Sequence, residues 1–295
     1  MTSPLNGPFS RWGAEGMLLL VAMVWGASYG LAKTAVLIYP VLGFLAVRFC
    51  CTALLLLPSW RSLSAERAWQ TVRAGVPLGL ILLAIFVCET YGVALTRASS
   101  AAFLISLCVV FTPFAEWLIL RARPSLTGLA AALLSLLGAW LLTSGTSIAL
   151  NVGDGLMVLA AILRALMVTA TTRLTRDHPV PALPLTSVQT GVVGIGSLLA
   201  GTVLLPGGLP PLPSDPTFWT ATAFLIVFCT MFAFFAQNYA LRRTSPTRVA
   251  LLMGTEPVFG AVFAVLWLGE SLSMMAWAGG ALIVGASLWA SLKRA

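Results

Sequence analysis

Apolar stretches of about 20 residues follow one another along almost the whole chain, separated by short polar connections. One helix of that length crosses a hydrocarbon layer of roughly 30 Å at a rise of about 1.5 Å per residue. Ten such stretches are present, at about 14–34, 40–58, 72–95, 99–120, 124–145, 153–173, 183–205, 217–240, 246–268 and 274–292. The pattern therefore predicts an all-α integral membrane protein with ten transmembrane helices.

The composition excludes a soluble globular protein. Hydrophobic residues make up 59% of the chain and charged residues only 9%, whereas about a quarter of the residues of soluble domains are charged. The mean hydropathy is +0.97. The five cysteines all lie within apolar stretches and lack the spacing of metal ligands, so we expect buried thiols, no bound metal and no disulfide framework.

The second half of the chain repeats features of the first half at a distance of about 146 residues. The segment Ala94–Ser99 (Ala-Leu-Thr-Arg-Ala-Ser) returns as Ala240–Ser245 (Ala-Leu-Arg-Arg-Thr-Ser). Pro113 is matched by Pro257 with a slip of two residues. The chain therefore contains an internal repeat of five apolar stretches, and the orientation of the two copies decides the architecture.

Basic residues show the predicted orientation, since short cytoplasmic loops carry an excess of lysine and arginine. With both termini in the cytoplasm, the outer side receives only Lys33 and Arg97. The inner side receives Arg11, Arg61, Arg67, Arg73, Arg121, Arg123, Arg173, Arg176, Arg242, Arg243, Arg248, Lys293 and Arg294. The net charge of +8 is thus explained by topology, and we expect membrane lipids rather than nucleic acid around the protein.

Equivalent loops of the two copies carry opposite charge. The loop after predicted helix 4 contains Arg121 and Arg123, whereas its counterpart after helix 9 contains Glu270 and no basic residue. Five crossings per copy would invert the second copy in the membrane. We therefore expect two inverted five-helix repeats, 14–150 and 151–292, between an N-terminal tail 1–13 and a C-terminal end 293–295. Inverted repeats of this kind are typical of secondary transporters with a midplane substrate site.

The second copy resembles the EamA family of the drug/metabolite transporter superfamily. The resemblance rests on Ala240-Leu241, Thr244-Ser245-Pro246, Leu251-Leu252, Glu256-Pro257-Val258-Phe259 and Leu268-Gly269-Glu270, with looser matches at Trp25-Gly26, Lys33 and Arg48. It covers nearly the whole chain. It implies a ten-helix carrier of the bacterial inner membrane that moves small metabolites by alternating access, without a cofactor. The central cavity would lie among helices 1, 3, 4, 6, 8 and 9.

Within that family the chain looks most like bacterial exporters of aromatic and other neutral amino acids. It departs from their pattern in two places. Arg164 stands in predicted helix 6, where such sequences usually have a tryptophan. The first copy has Val110-Phe111 at the position where the second copy has Glu256-Pro257. The two halves are therefore chemically unequal around the expected cavity. A monomer is one of the oligomeric states that the sequence allows.

Ionisable side chains within the spans are the first candidates for substrate binding, because each costs from about 3 kcal/mol upward in the hydrocarbon region. Arg164 binds a substrate carboxylate or pairs with a glutamate. Glu256 recognises an amine or a proton, or it stabilises the helix before Pro257. Glu89 is expected at the cavity mouth and Glu116 near the inner surface. For Arg48 a structural role is favoured, since predicted helix 2 lies outside the cavity in this family.

Uncharged candidates lie on the other helices expected around the cavity. In helix 1, Trp25 and Tyr29 can wall or stack with an apolar substrate, although Tyr29 also suits an interfacial anchor. In helix 8, Gln237 and Asn238 suit a polar substrate or ordinary bonds between helices. Candidates by helix position alone are Ser28, Tyr91, Ser106, Met253 and Thr255. Pro113 and Pro257 are expected to act as paired hinges, because proline removes a helical donor.

Other functional classes lack their characteristic motifs. The histidine His178 lies in the loop sequence Arg-Asp-His-Pro, which indicates a solvated residue, and we expect no catalytic residue. A zinc-hydrolase pattern, a nucleophile elbow and a Walker A loop are not found in the sequence. A channel would need a filter that these short loops leave no room for. The remaining alternative is an exporter of cationic or amphiphilic drugs, or of another small metabolite.

Overall fold

The computed structural model describes residues 8–96, 98–142, 151–176, 180–268 and 273–292. Within these ranges the chain is helical and contains no strand, which confirms the all-α prediction for the described residues. The predicted loop positions of Arg97, His178 and Glu270, and the C-terminal end 293–295, lie outside the described residues.

Each predicted apolar stretch lies on one helix or on a broken run of helical segments. The first half contains α1 (Pro8–Ile38), α2 (Val41–Leu56) with a 3-10 turn (Leu57–Trp60), α3 (Ala65–Leu95), α4 (Ala98–Ser106), α5 (Cys108–Leu120) and α6 (Leu126–Leu142). The second half contains α7 (Val152–Thr175), α8 (Ala182–Leu204), α9 (Pro216–Phe224), a π-helical segment (Leu225–Phe232), α10 (Ala233–Leu241), α11 (Pro246–Met253), α12 (Glu256–Leu268) and α13 (Met274–Leu292).

Several of these elements are suited to cross a membrane. Six continuous helical segments are long and apolar enough to do so. A seventh results if Gly13–Ser28 and Gly30–Ile38, which meet at 46°, form one span. Leu126–Leu142 and Met274–Ala290 are shorter apolar helices. The protein is therefore a multi-pass membrane protein, and the figure of ten crossings stays a prediction.

Two of the predicted spans are broken at corresponding places in the two halves. The span predicted at 99–120 breaks at Leu107, whose N–H donates to the Leu104 carbonyl at 3.2 Å. The span predicted at 246–268 breaks before Glu256, where the Thr255 N–H donates to Leu252 at 3.3 Å. Both breaks thus use the shorter i→i+3 bond of a 3-10 turn.

The two prolines predicted as hinges stand differently relative to these breaks. Pro113 lies inside α5, well after the break at Leu107. Pro257 is the second residue of α12, at a helix start, where the missing N–H has no helical acceptor anyway. The paired-hinge interpretation stays a prediction. The features that correspond between the two halves are the helix breaks, not the two prolines.

Helices in corresponding positions of the two sequence repeats pack against each other. α2 packs against α8, and α6 packs against α13. The contacts of α1 with α11 and α12 correspond to those of α7 with α4 and α5. The α6–α13 contact needs two glycines, because a Cβ on Gly138 would lie 2.7 Å from the Gly279 carbonyl oxygen. Small residues at such crossings let transmembrane helices approach closely.

Candidate functional site

Three ionisable side chains from three helices meet near the middle of the protein. Arg164 of α7 donates through Nη2 to Glu89 of α3, at 3.1 Å from Oε1 and 3.0 Å from Oε2. Its Nη1 lies 3.6 Å from Oε2 of Glu256, the first residue of α12. We call Glu89, Arg164 and Glu256 the central cluster. Arg164 is thus shared by two carboxylates, as expected for charges that must be paired away from water.

Trp25 adds an aromatic face to the central cluster. The Arg164 guanidinium carbon lies 4.9 Å from the centroid of the Trp25 ring, a cation–π distance. The indole N–H of Trp25 donates to the Cys229 carbonyl at 2.9 Å, and Cys229 belongs to the π-helical segment. Short π-helical segments are frequent at functional sites. Here the segment positions the ring on which Arg164 rests.

The central cluster lies between two cavities. One, which we call the polar cavity, is lined by Ser28, Lys33, Arg48, Glu89 and Thr90, among others. The other, the apolar cavity, is lined by Leu82, Ile85, Met167, Phe234 and Met253, among others. Both are lined by Trp25, Phe86, Arg164 and Glu256. These shared residues form a partition with a cavity on either side.

Most of the predicted binding residues contact one or both cavities. Those that do are Trp25, Ser28, Glu89, Ser106, Arg164, Gln237, Met253 and Glu256. Pro257 lines the apolar cavity, whereas Pro113 lines neither. The backbone of Tyr29 belongs to α1, but its side chain lies outside the described part of the structure.

Three predicted residues lie away from both cavities: Tyr91, Asn238 and Thr255. Asn238 is buried and donates to Thr186 at 3.0 Å and to Gln189 at 2.9 Å, which ties α10 to α8. Of the two roles predicted for Asn238, substrate binding and hydrogen bonding between helices, its contacts are those of the second. Thr255 donates to the Leu252 carbonyl at 2.7 Å and so stabilises the break between α11 and α12.

Sequence reasoning missed the position of Arg48. It was expected on a helix outside the cavity, yet its side chain lines the polar cavity while only 6% of the residue is exposed. An arginine in the middle of an apolar stretch is a sequence signal for a functional residue. The layout implied by the family resemblance, with helix 2 outside the cavity, led instead to the prediction of a structural role. Phe86, Cys108, Thr112 and Phe234 also line the cavities without any sequence signal.

A second polar cluster holds the beginning of α11. Oε2 of Glu116 accepts the backbone N–H of Thr247 at 3.1 Å and also the Thr247 hydroxyl. Nη2 of Arg248 lies 2.7 Å from Oε1 of Glu15 on α1. We call these four residues the α11 cluster. Its carboxylate at a helix N-terminus satisfies donors that have no partner within the helix.

The close approach of α1 to α12 brings Trp25 and Glu256 to the same partition. A Cβ added to Gly26 would lie 2.6 Å from the Glu256 carbonyl oxygen and 2.6 Å from the Gly260 nitrogen. Glycine is therefore required at position 26 for this packing. The sequence Trp25-Gly26 thus combines an aromatic wall with the contact that places it.

Charged, aromatic and thioether groups line the two cavities. Among the described residues, no group of three or more His, Cys, Asp or Glu side chains is arranged to hold a metal ion.

The sequence matches the model of the EamA-like transporter family twice, over residues 12–144 and 151–292. The chain belongs to the EamA-like transporter family. An uncharacterized transporter of Archaeoglobus fulgidus is 27% identical, over 95% of this chain and 89% of its own length. A second uncharacterized transporter of the same organism is 24% identical, over 91% of this chain and 93% of its own.

Solved structures show the same fold. A crystal structure of another protein, 17% identical, superposes with a TM-score of 0.78 over 96% of this chain and 98% of that one. At this identity the likeness concerns the fold alone. Family membership and the transporter relatives together identify a membrane transporter.

Proposed function

We propose that this EamA-like transporter is a secondary carrier that exports small amphiphilic metabolites, namely aromatic or other neutral amino acids. The observation that carries the proposal is the partition formed around the central cluster, with a cavity on each side. A substrate bound at the partition would be reached from one cavity at a time. That is the requirement of alternating access, and it needs no ATP or cofactor.

The proposed frame consists of two inverted five-helix repeats, 14–150 and 151–292. It is supported by the two separate family matches, 12–144 and 151–292. The packing of α2 on α8 and of α6 on α13 also supports it, since equivalent helices meet at the axis of a two-fold arrangement. Transporters of this kind bind substrate between the repeats near the bilayer midplane.

The proposed orientation places both termini in the cytoplasm of a bacterium and the protein in its inner membrane. The polar cavity then opens toward the outer side, because Lys33, Val36 and Val93 lie near the ends of α1 and α3 that face outward. The α11 cluster lies on the cytoplasmic side.

The charges around the partition favour a zwitterion over a cationic drug. The polar cavity is lined by Lys33, Arg48 and Arg164 and by Glu89 and Glu256, so these five groups sum to a charge of +1 when all are ionised. A zwitterion adds none, whereas an organic cation adds a further positive charge that no protein group balances. Unbalanced charge is costly in a desolvated site. The aromatic side chain would lie in the apolar cavity, beside Phe234.

Counterflow in proteoliposomes tests the proposal. Vesicles loaded with an unlabelled compound are mixed with traces of the labelled compound, using a panel of aromatic, aliphatic and charged amino acids and organic cations. We expect saturable, trans-stimulated uptake of aromatic or neutral amino acids. Exchange of an organic cation without exchange of any amino acid would instead establish the alternative function of a drug exporter.

A further inference from the structure

Arg48 of α2 differs from Arg164 in having no carboxylate within ion-pair distance in the described part of the chain. Its Nε donates to the Thr230 hydroxyl at 2.9 Å. Its guanidinium carbon lies 5.1 Å and 5.3 Å from the ring centroids of Phe49 and Phe86. Among the described residues, no ion pair joins Arg48 to an acidic side chain. The direct contacts of Arg48 are thus with neutral groups.

The contacts of Arg48 orient its guanidinium group and leave part of it unused. The Thr230 hydroxyl in turn donates to the Leu225 carbonyl at 2.9 Å, so the π-helical segment fixes the acceptor for Nε. The two Nη nitrogens of Arg48 donate no hydrogen bond to a described residue, and both are accessible from the polar cavity. Because the hydrogen bond at Nε fixes the guanidinium group, its two Nη groups can donate side by side to one ligand.

Arg164 is unsuited to the same task. Glu89 and Glu256 already occupy its two Nη groups. A substrate carboxylate could bind there only by displacing one of these glutamates, which would leave a carboxylate unpaired. Arg48 carries no such penalty, because an anion that binds there breaks no ion pair of the described residues.

We propose that Arg48 binds the substrate carboxylate in the polar cavity, while Glu89 faces the substrate ammonium group. The proposal rests on the proposed function and deepens it by assigning the two charged ends of an amino acid. A guanidinium fork binds a carboxylate with two parallel hydrogen bonds, which gives both energy and orientation. A free carboxylate becomes a condition for transport, and the amide or the amine derived from an amino acid is a poor substrate.

The test compares three compounds of one shape in proteoliposome counterflow: L-phenylalanine, L-phenylalaninamide and 3-phenylpropionate. The variants are Arg48→Gln and, as a control for charge removal at an exposed site, Arg67→Gln in the first turn of α3. We expect Arg48→Gln to reduce exchange of the two carboxylates by about tenfold or more, since losing one partner of a buried charge pair is costly. Exchange of the amide should stay unchanged, and Arg67→Gln should behave like the wild type.

A structural role for Arg48 predicts a different result. Equal losses for all three compounds in Arg48→Gln, together with a lower melting temperature in detergent, would overturn the carboxylate site. If that variant does not fold, Arg48→Lys keeps the charge but removes the fork. It should lower exchange of both carboxylates relative to the amide, and an unchanged ratio counts against the proposal.

The outcomes also separate this site from the proposed function. Exchange of 3-phenylpropionate without L-phenylalanine, and its loss in Arg48→Gln, would support the carboxylate site while contradicting amino-acid export. If L-phenylalanine is exchanged, and Arg48→Gln keeps the wild-type ratio of L-phenylalanine exchange to amide exchange, amino-acid export would be supported and the carboxylate site contradicted. Exchange of the amide alone would contradict both.

Discussion

The central cluster and the α11 cluster are both ion-paired, yet they differ in what surrounds them. The α11 cluster has the shorter pair, 2.7 Å between Arg248 and Glu15, against 3.0 Å between Arg164 and Glu89. Of the two clusters, only the central cluster contributes residues to the cavities, and Arg164 and Glu256 line both. The shorter ion-pair distance therefore does not coincide with the cavities.

The two clusters also differ in what remains when one member is lost. In the central cluster one arginine compensates two carboxylates, so its removal leaves two like charges close together. In the α11 cluster the Glu116 carboxylate accepts hydrogen bonds from neutral donors of Thr247. If Glu116 loses its charge, the Thr247 donors still have a neutral acceptor, and no pair of like charges is left behind. We expect substitutions in the central cluster to have the larger effects.

The largest effect is expected for Arg164→Gln. The two remaining carboxylates repel each other away from water, which should cost about 3 kcal/mol or more in stability. We expect substrate counterflow to fall roughly a hundredfold, which corresponds to about 3 kcal/mol. The double variant Arg164→Gln/Glu256→Gln serves as the control, because it restores part of the charge balance. It should regain melting temperature but not transport, and regained transport would contradict a direct role for Arg164.

A matched pair of substitutions compares the two clusters directly. Glu256→Gln should lower exchange about tenfold, because a charged partner of Arg164 is lost at the partition. Glu116→Gln makes the same chemical change in the α11 cluster. We expect it to cost about 1 kcal/mol in stability, as for the loss of a helix cap, and to leave exchange within about threefold. The reverse order in counterflow would move the functional site to the α11 cluster.

Gly26→Ala tests the packing that brings α1 to the central cluster. The added methyl group would meet two backbone atoms of α12 at 2.6 Å, and overpacking of this kind costs about 1–3 kcal/mol. We expect a lower melting temperature and slower exchange. Gly30→Ala on the same helix is the control, because its Cβ would meet nothing within 4 Å. Similar losses at both positions would show that the α1–α12 contact is not responsible.

A small effect on transport is also expected for Pro257→Ala. The proline stands at the start of α12 beside the apolar cavity, so alanine would let α11 and α12 join more easily. We expect exchange to slow a few-fold with little change in expression. Pro113→Ala in α5 provides the comparison between the two halves. Equal loss of transport and expression in Pro257→Ala would contradict a hinge.

The sequence was sufficient for the features that depend on composition. Apolar stretches determine where helices form in a membrane, so each predicted stretch lies on helical segments. The breaks at Leu107 and before Glu256 carried no such signal, because their 3-10 bonds depend on tertiary packing. The π-helical segment was likewise invisible, since its residues are as apolar as those of any span.

The candidate site was only partly predictable. The charges of Glu89, Arg164 and Glu256 identified them as residues that need partners, but hydropathy does not show which face of a helix each one occupies. For the same reason Asn238 was predicted as a substrate-binding candidate on the same footing as Gln237, although its side chain donates hydrogen bonds to α8. Arg48 was placed outside the cavity by family analogy. Only the three-dimensional arrangement shows that it lines the polar cavity.

The most direct test of the central claim is substrate protection of Cys108, a free thiol that lines the apolar cavity beside the central cluster. In a variant whose other four cysteines are replaced by alanine, alkylation of Cys108 by N-ethylmaleimide is timed with and without a transported amino acid. A variant that keeps only Cys51, which lines neither cavity, is the control. We expect saturating substrate to slow the alkylation of Cys108 and to leave the alkylation of Cys51 unchanged. An unchanged rate at Cys108, at substrate concentrations that saturate transport, would contradict binding at the partition.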